Sequence, residues 1–153
     1  MDTTRVIRAA GILEGEGTFR TASGRHAPIV ACQMTDLDVL EELQALFGGS
    51  LVSTKAIQSH HKPAWVWTVQ GDVAEAVMTQ VYPYMFNRRR EAIDKALATW
   101  HARKSVLESQ RLKGEQAGRA YLNGEGSLRK IATRFGVSYE TVRQHAERIT
   151  SPV

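Results

Sequence analysis

The stretch Gly11-Ile12-Leu13-Glu14-Gly15-Glu16-Gly17-Thr18-Phe19 (GILEGEGTF, residues 11–19) decides how the chain is read. Two carboxylates alternate with three glycines directly after an apolar, helix-compatible run. Upstream, Thr3 and Thr4 are candidate N-caps for a helix carrying Arg5, Ile7, Ala10, Gly11 and Leu13, which Gly15 and Gly17 would end. Glu14 and Glu16 therefore fall at the C-terminal end of that helix, where its dipole presents partial negative charge. Acid is electrostatically unfavourable there, so its presence asks for a compensating partner.

The rest of the chain sets bounds. At 153 residues with 42% hydrophobic side chains it can bury a core as one compact domain, or as a small domain with an appendage. Cys32 is the only cysteine, so neither a disulfide framework nor a Cys/His zinc site is available, and a reducing compartment fits. Met-Asp-Thr-Thr-Arg has no positive region leading into an apolar one, and no apolar run reaches membrane-spanning length, so neither secretion nor membrane insertion is expected. Charge divides unevenly. Residues 1–107 carry 12 Lys/Arg against 11 Asp/Glu, and residues 108–153 carry 8 against 5, so the tail is the more basic part of a chain with a net charge of +4. That balance favours a polyanionic partner.

After the opening helix comes a hairpin, residues 18–21 and 29–33, joined through Ser23-Gly24-Arg25-His26-Ala27-Pro28. A helix over residues 36–47 follows, with Leu37, Leu40, Leu43, Ala45 and Leu46 at helical spacing, Thr35 or Asp36 as cap and Gly48-Gly49 as stop. A second hairpin reads as residues 50–55 and 65–69 around a polar loop. Two more helices fit residues 73–82 and 88 to about 112, interrupted at Pro83.

With that order in place, Ala9-Ala10-Gly11-Ile12-Leu13-Glu14-Gly15-Glu16-Gly17 resembles the LAGLIDADG motif of homing endonucleases. FGGSL at 47–51, WVWTVQG at 65–71 and YPYMFNRRREA at 82–92 fall where that family has a Gly-Gly turn, a Trp-containing strand and a Pro followed by a basic helix start. The resemblance covers about two thirds of the chain. It implies an α+β fold, an αββαββα saddle with an antiparallel sheet, over residues 1–112.

On this reading Gly11 and Gly15 share one helix face and let a second motif helix approach with the backbones nearly touching. Carboxylates from two such helices would converge, and a divalent cation would neutralise them; Mg²⁺ suits hard oxygen ligands. By motif position, Glu16 matches the family's metal-binding acid and Glu14 an acid tied up structurally at the helix end. Both are Glu where the name-giving motif has Asp. Only one copy is present, since Leu-Asn-Gly-Glu-Gly-Ser at 122–127 lacks a preceding apolar helix, so a homodimer through Ala10, Gly11 and Gly15 is expected, with a pseudo-palindromic target. Gln33 matches a polar residue that orders water or metal near the phosphate. Arg88 matches a basic residue near the active site, where the family more often has Lys. For Arg89 and Arg90 a solvated basic helix face competes with any role at the site.

The family reads DNA with its sheet, which makes Arg20, Arg25 and His26 on the first hairpin, and Thr54, Lys55, Gln58, His60 and Lys62 on the second, candidate contacts. Trp65 and Trp67 fit core packing better than base stacking. GSLRKIATRFGVSYETVRQHAERI at 126–149 resembles a helix-turn-helix: a Ser127 cap, a helix to Phe135, a turn at Gly136-Val137-Ser138 and a recognition helix from Tyr139. Residues 115–122 would supply its preceding helix, residues 113–118 a hinge, and Tyr139, Thr141, Arg143 and Gln144 would reach bases or phosphates from a small all-α domain over residues 113–153.

Together these readings imply a homodimeric, Mg²⁺-dependent, site-specific double-strand DNA endonuclease of a mobile element, acting in the cytoplasm of a bacterial or phage-infected cell. The alternatives are a non-cleaving transcriptional regulator of the same fold and an RNA maturase.

Overall fold

The computed structural model describes residues 2–24, 26–54 and 63–151. Arg25, Lys55, Gln58, His60 and Lys62 lie outside the described residues. The elements run α1 (Thr3–Glu16), β1 (Gly17–Thr21), β2 (Pro28–Met34), α2 (Leu37–Phe47), β3 (Ser50–Thr54), β4 (Ala64–Gln70), α3 (Gly71–Val81), a 3-10 turn (Tyr82–Tyr84), α4 (Asn87–Leu122), α5 (Leu128–Phe135) and α6 (Tyr139–Thr150). By its contacts the chain divides into Met1–His101 and Ala102–Val153. That boundary falls inside α4, earlier than the change in composition.

In the first unit the strands form one antiparallel sheet in the order β1-β2-β4-β3. One face carries Phe19, Val30, Cys32, Trp67 and Val69 into the core, where Leu13, Leu40, Leu43, Val77, Met78 and Ile93 cover it from the helices. Trp67 is buried outright: its ring packs against Phe47, with centroids 6.2 Å apart, and its indole N–H donates to the Gly48 carbonyl at 2.8 Å. The Gly-Gly turn exists for this contact. Gly49 has φ 96°, and a Cβ there would stand 2.6 Å from the Thr68 carbonyl oxygen, so only glycine lets the chain return beside β4.

Asp2, not Thr3 or Thr4, caps α1: its carboxylate accepts from the Thr4 N–H at 2.9 Å. A cap must stand one residue outside the helix, and the helix starts at Thr3. Val6, Ala9, Ala10 and Leu13 form the buried stripe. The helix runs through Gly15 to Glu16 and passes into β1 without a loop. Gly17 closes it by donating its N–H to the Leu13 carbonyl.

The second unit packs the end of α4 against α5 and α6 around Ala117, Ala120, Ile131, Ala132 and Val142. Ser127 and Ser138 cap α5 and α6 by accepting from Lys130 N–H and Thr141 N–H, and Gly136 takes the left-handed conformation between them, φ 65° and ψ 39°. Residues 113–118, expected as a hinge, are helical within α4. Their glycines serve packing instead. A Cβ on Gly114 would stand 2.6 Å from His145 Nε2, and one on Gly118 would stand 2.9 Å from the Ala146 nitrogen. Both glycines therefore bring α6 close to α4, which removes the reason for reading them as a break.

A Cβ on Gly17 would collide with the Leu13 carbonyl oxygen and lie 2.9 Å from Leu13 Cα. Backbone must move to admit it, and such overpacking costs about 1–3 kcal/mol. Gly17→Ala is expected to lower urea-unfolding stability by about 2 kcal/mol; a midpoint equal to that of the wild type would refute this steric account.

Candidate active site and nucleic-acid interface

The end of α1 carries the two carboxylates, Glu14 and Glu16, in different surroundings. Glu14 is half-buried, and its Oε2 accepts from the Phe86 N–H at 3.1 Å, just ahead of α4. Glu16, the last residue of α1, is exposed and makes no hydrogen bond or ion pair to a described side chain. The two acids differ because the helix turns one towards α4 and the other outward. Gln33 is also exposed, and it follows the Cys32 that pairs with Gly17, so Glu16 and Gln33 flank the same end of the β1–β2 ladder. Arg88 is exposed in the first turn of α4.

The neighbouring arginines are not a solvated face. Arg89 donates from Nε to the Glu14 carbonyl at 3.0 Å and from Nη2 to the Gly15 carbonyl at 3.1 Å. Arg90 donates to the Tyr82 and Pro83 carbonyls at 3.3 and 3.0 Å, with its guanidinium 5.4 Å from the Tyr82 ring centre. Each arginine satisfies carbonyls where a helix or turn ends. A lone basic triplet read along the chain contains no sign of this.

Gly11 and Gly15 are exposed, and among the described residues nothing beyond the adjoining residues and backbone of α1 itself lies within 4 Å of where a Cβ would stand on either. With Ile7, 48% exposed, they form an open strip at i, i+4, i+8. Ala10 does not belong to it. Its side chain is fully buried in the core of its own unit, because it sits on the Val6–Leu13 side of the helix, so it offers nothing to a second copy. Among the described residues no group of three His, Cys, Asp or Glu lies close enough to hold a metal ion.

The outer face of the sheet is nearly uncharged: Arg20 is the one Lys, Arg, Asp or Glu in the four strands. Register places Thr18 opposite Ala31, Ala31 opposite Thr68 and Thr68 opposite Ser50, with Gln70 opposite Ile29 and Ile29 opposite Arg20. Sequence reasoning passed over Thr18, Ser50, Thr68 and Gln70, which period-two alternation with Arg20 and Gln33 would have found. His26 stands at the tip of the first hairpin with φ 53°, its N–H donating to the Ala22 carbonyl at 3.1 Å. Thr54 donates its hydroxyl to the Ala64 carbonyl at 2.9 Å, which leaves it only acceptor capacity towards a ligand.

On α6, Tyr139 is 59% exposed, and Arg143 and Gln144 are exposed beside it. Thr141 does not project with them. It is half-buried, its Oγ1 hydrogen-bonded to Ser138 Oγ at 2.8 Å and its methyl beside Gly114, because a residue three past the cap turns back to the cap. The outer face also carries acid: Glu140 accepts from Arg143 at 2.6 Å and from Gln144 at 3.3 Å, and Glu147 lies 3.8 Å from Arg143. The Arg143 guanidinium holds the Glu140 carboxyl below its ordinary range.

No protein-family model matches the chain, and no curated protein is significantly similar to it. Among solved structures, the chain is similar to the homing endonuclease I-CvuI in complex with its target in the presence of calcium, at 15% identity and TM-score 0.45 over 99% of this chain and 98% of that chain. It is also similar to an archaeal intron-encoded homing endonuclease complexed with DNA, at 14% identity and TM-score 0.49 over 95% of this chain and 96% of that chain.

Burial, and then the nearby Glu16 charge, push the Cys32 thiol up from 9.0 to about 11. The unfolded thiol ionises first as pH rises, so the contribution of Cys32 to stability is complete below pH 9.0 and is lost towards about pH 11. Melting temperature is expected to fall across that window, and Cys32→Ala to flatten part of the fall. Identical pH slopes for the two proteins would contradict this placement of Cys32.

Proposed function

We propose that this chain is a homodimeric, divalent-metal-dependent, site-specific endonuclease that hydrolyses both strands of a DNA duplex. The observation that carries this reading is the exposed Glu16 carboxylate, without a partner among the described side chains, at the end of a helix whose adjoining face, Ile7, Gly11 and Gly15, is open. A second copy of α1 packed on that strip would bring a second Glu16 to the first, and two carboxylates at two negative helix ends form a strong cation site.

The donors fit a hard divalent ion. Glu16 supplies an oxygen ligand from each copy, whereas Glu14 is occupied by Phe86 N–H and the Gly15 carbonyl by Arg89. Mg²⁺ held there with the scissile phosphate would polarise the phosphoryl oxygen and lower the pKa of bound water. The chain's own residues have separate tasks. Gln33, exposed at the same end of the ladder, can donate to or accept from an attacking water. Arg88 can pair with non-bridging phosphate oxygens and offset the charge that builds on them, although it cannot act as a proton donor at neutral pH. Water adds to phosphorus and the bond to the leaving sugar oxygen breaks, so each strand is cut with one water consumed.

The outer face of the sheet suits the duplex because it presents hydroxyl and amide groups, together with Arg20, of the kind that can read base edges, and it contributes no carboxylate. The C-terminal unit, read over residues 113–153 as a helix-turn-helix, would add contacts through Tyr139, Arg143 and Gln144. A mobile genetic element in a bacterial or phage-infected cell fits this activity. None of the described helices is long and apolar enough to cross a membrane.

Glu16→Gln removes a metal ligand and a charge that repels phosphate. Cleavage by the variant in Mg²⁺ is expected to fall below about 1% of the wild-type rate, with duplex binding equal or tighter. Cutting by the variant near the wild-type rate would refute the assignment of Glu16.

A further inference from the structure

The last turn of α1 is an electrostatic problem that α1 does not solve. It has no basic residue, two glutamates and a set of carbonyls without intrahelical partners. Leu13 O receives the Gly17 N–H, and the next two carbonyls, Glu14 O and Gly15 O, are both taken by the Arg89 fork. In the opposite direction, the Glu14 side chain accepts from the Phe86 N–H, and the Phe86 carbonyl accepts from the backbone N–H groups of Arg89 and Arg90, each at 3.0 Å. The end of one helix and the start of another therefore cap each other, with Glu14 at the positive pole of α4 and Arg89 at the negative pole of α1.

Glu16 is the next residue after the two carbonyls that Arg89 holds. We infer that Arg89 is a positioning residue for Glu16: its two-pronged grip fixes the final turn of α1 and so sets where the Glu16 carboxylate is offered to a cation. The fork matters as well as the charge. A guanidinium spans two consecutive carbonyls with a rigid pair of donors, whereas a lysine ammonium brings a point charge on a flexible stem. Arg89 touches neither DNA nor metal in this account. It rests on the reading that Glu16 holds the divalent ion.

The test is Mn²⁺ binding, followed by electron paramagnetic resonance, for the full-length protein on a duplex recovered by binding selection. Wild type, Glu16→Gln, Arg89→Lys and Arg89→Met are compared, each first checked by circular dichroism and melting. Partners that orient a ligand are worth about 10–100-fold in metal affinity, so Arg89→Met should weaken Mn²⁺ binding about tenfold or more, while duplex binding without metal stays within about twofold. Arg89→Lys should recover only part of the loss. A folded Arg89→Met that binds Mn²⁺ as the wild type does would overturn the inference while leaving Glu16 as a ligand. Should Arg89→Met fail to fold, Arg89→Lys decides: weakened Mn²⁺ binding supports the fork, and wild-type binding overturns it. If Glu16→Gln binds Mn²⁺ as the wild type does, the metal reading of Glu16 fails first and the inference falls with it.

Discussion

The structure turns on how α1 is allowed to end. A helix that finishes in Glu-Gly-Glu puts negative side chains on a negative pole and then passes straight into a strand with no intervening loop. Three features make this possible. Gly17 admits the Leu13 carbonyl where any side chain would collide with it. Glu14 turns away to the Phe86 N–H, and Arg89 supplies the positive charge that α1 lacks. What remains unsatisfied is Glu16, left in solvent at the end of the β1–β2 ladder. A carboxylate with no partner among the described side chains, in so unfavourable a place, is a stability cost, and the proposed cation is what would offset it.

The same arrangement fixes the sheet. β1 begins where α1 stops, Gly17 pairs with Cys32, and the antiparallel register that runs on from that pair sets Arg20 and Gln33 outward. The opposite face then receives Trp67, whose indole N–H ties the Gly48-Gly49 turn to β4. Burying a ring of this size is worth several kcal/mol, and its one polar group is satisfied, so the tryptophan contributes to the core without an unpaired donor.

Element order and the antiparallel α+β character were legible in the sequence because they rest on short-range signals: period 3.6 in residues 36–47, alternation in the strands, and glycine or proline where the chain reverses. What was not legible depended on how side chains are placed once the elements form, in several cases by partners remote in sequence. Ala10 and Gly11 look equally small in the motif, yet only the helix rotation set by Val6 and Leu13 shows that one is core and the other open. Gly114 and Gly118 read as a hinge until α6 is seen beside them. Thr141 read as a surface contact until its cap hydrogen bond was placed. Arg89 was indistinguishable from Arg88 in a basic run, because a guanidinium that caps carbonyls 74 and 75 residues away leaves no local pattern, and the Tyr82 and Pro83 carbonyls that Arg90 takes are offered to it only by the 3-10 turn that the chain forms there. Glu140 lay unnoticed between Tyr139 and Arg143, although it now stands as the acid that orders both Arg143 and Gln144 on the outer face of α6.

The central claim is that this fold brings two copies of Glu16 together to cut DNA, and it is tested most directly by incubating the full-length protein with a randomised duplex library in Mg²⁺ and sequencing the new ends. The account predicts double-strand breaks at one recurring site whose halves are related by two-fold symmetry, abolished when the metal is chelated. Sequence-selective binding with no breaks at any metal concentration, or breaks that persist after chelation, would contradict it.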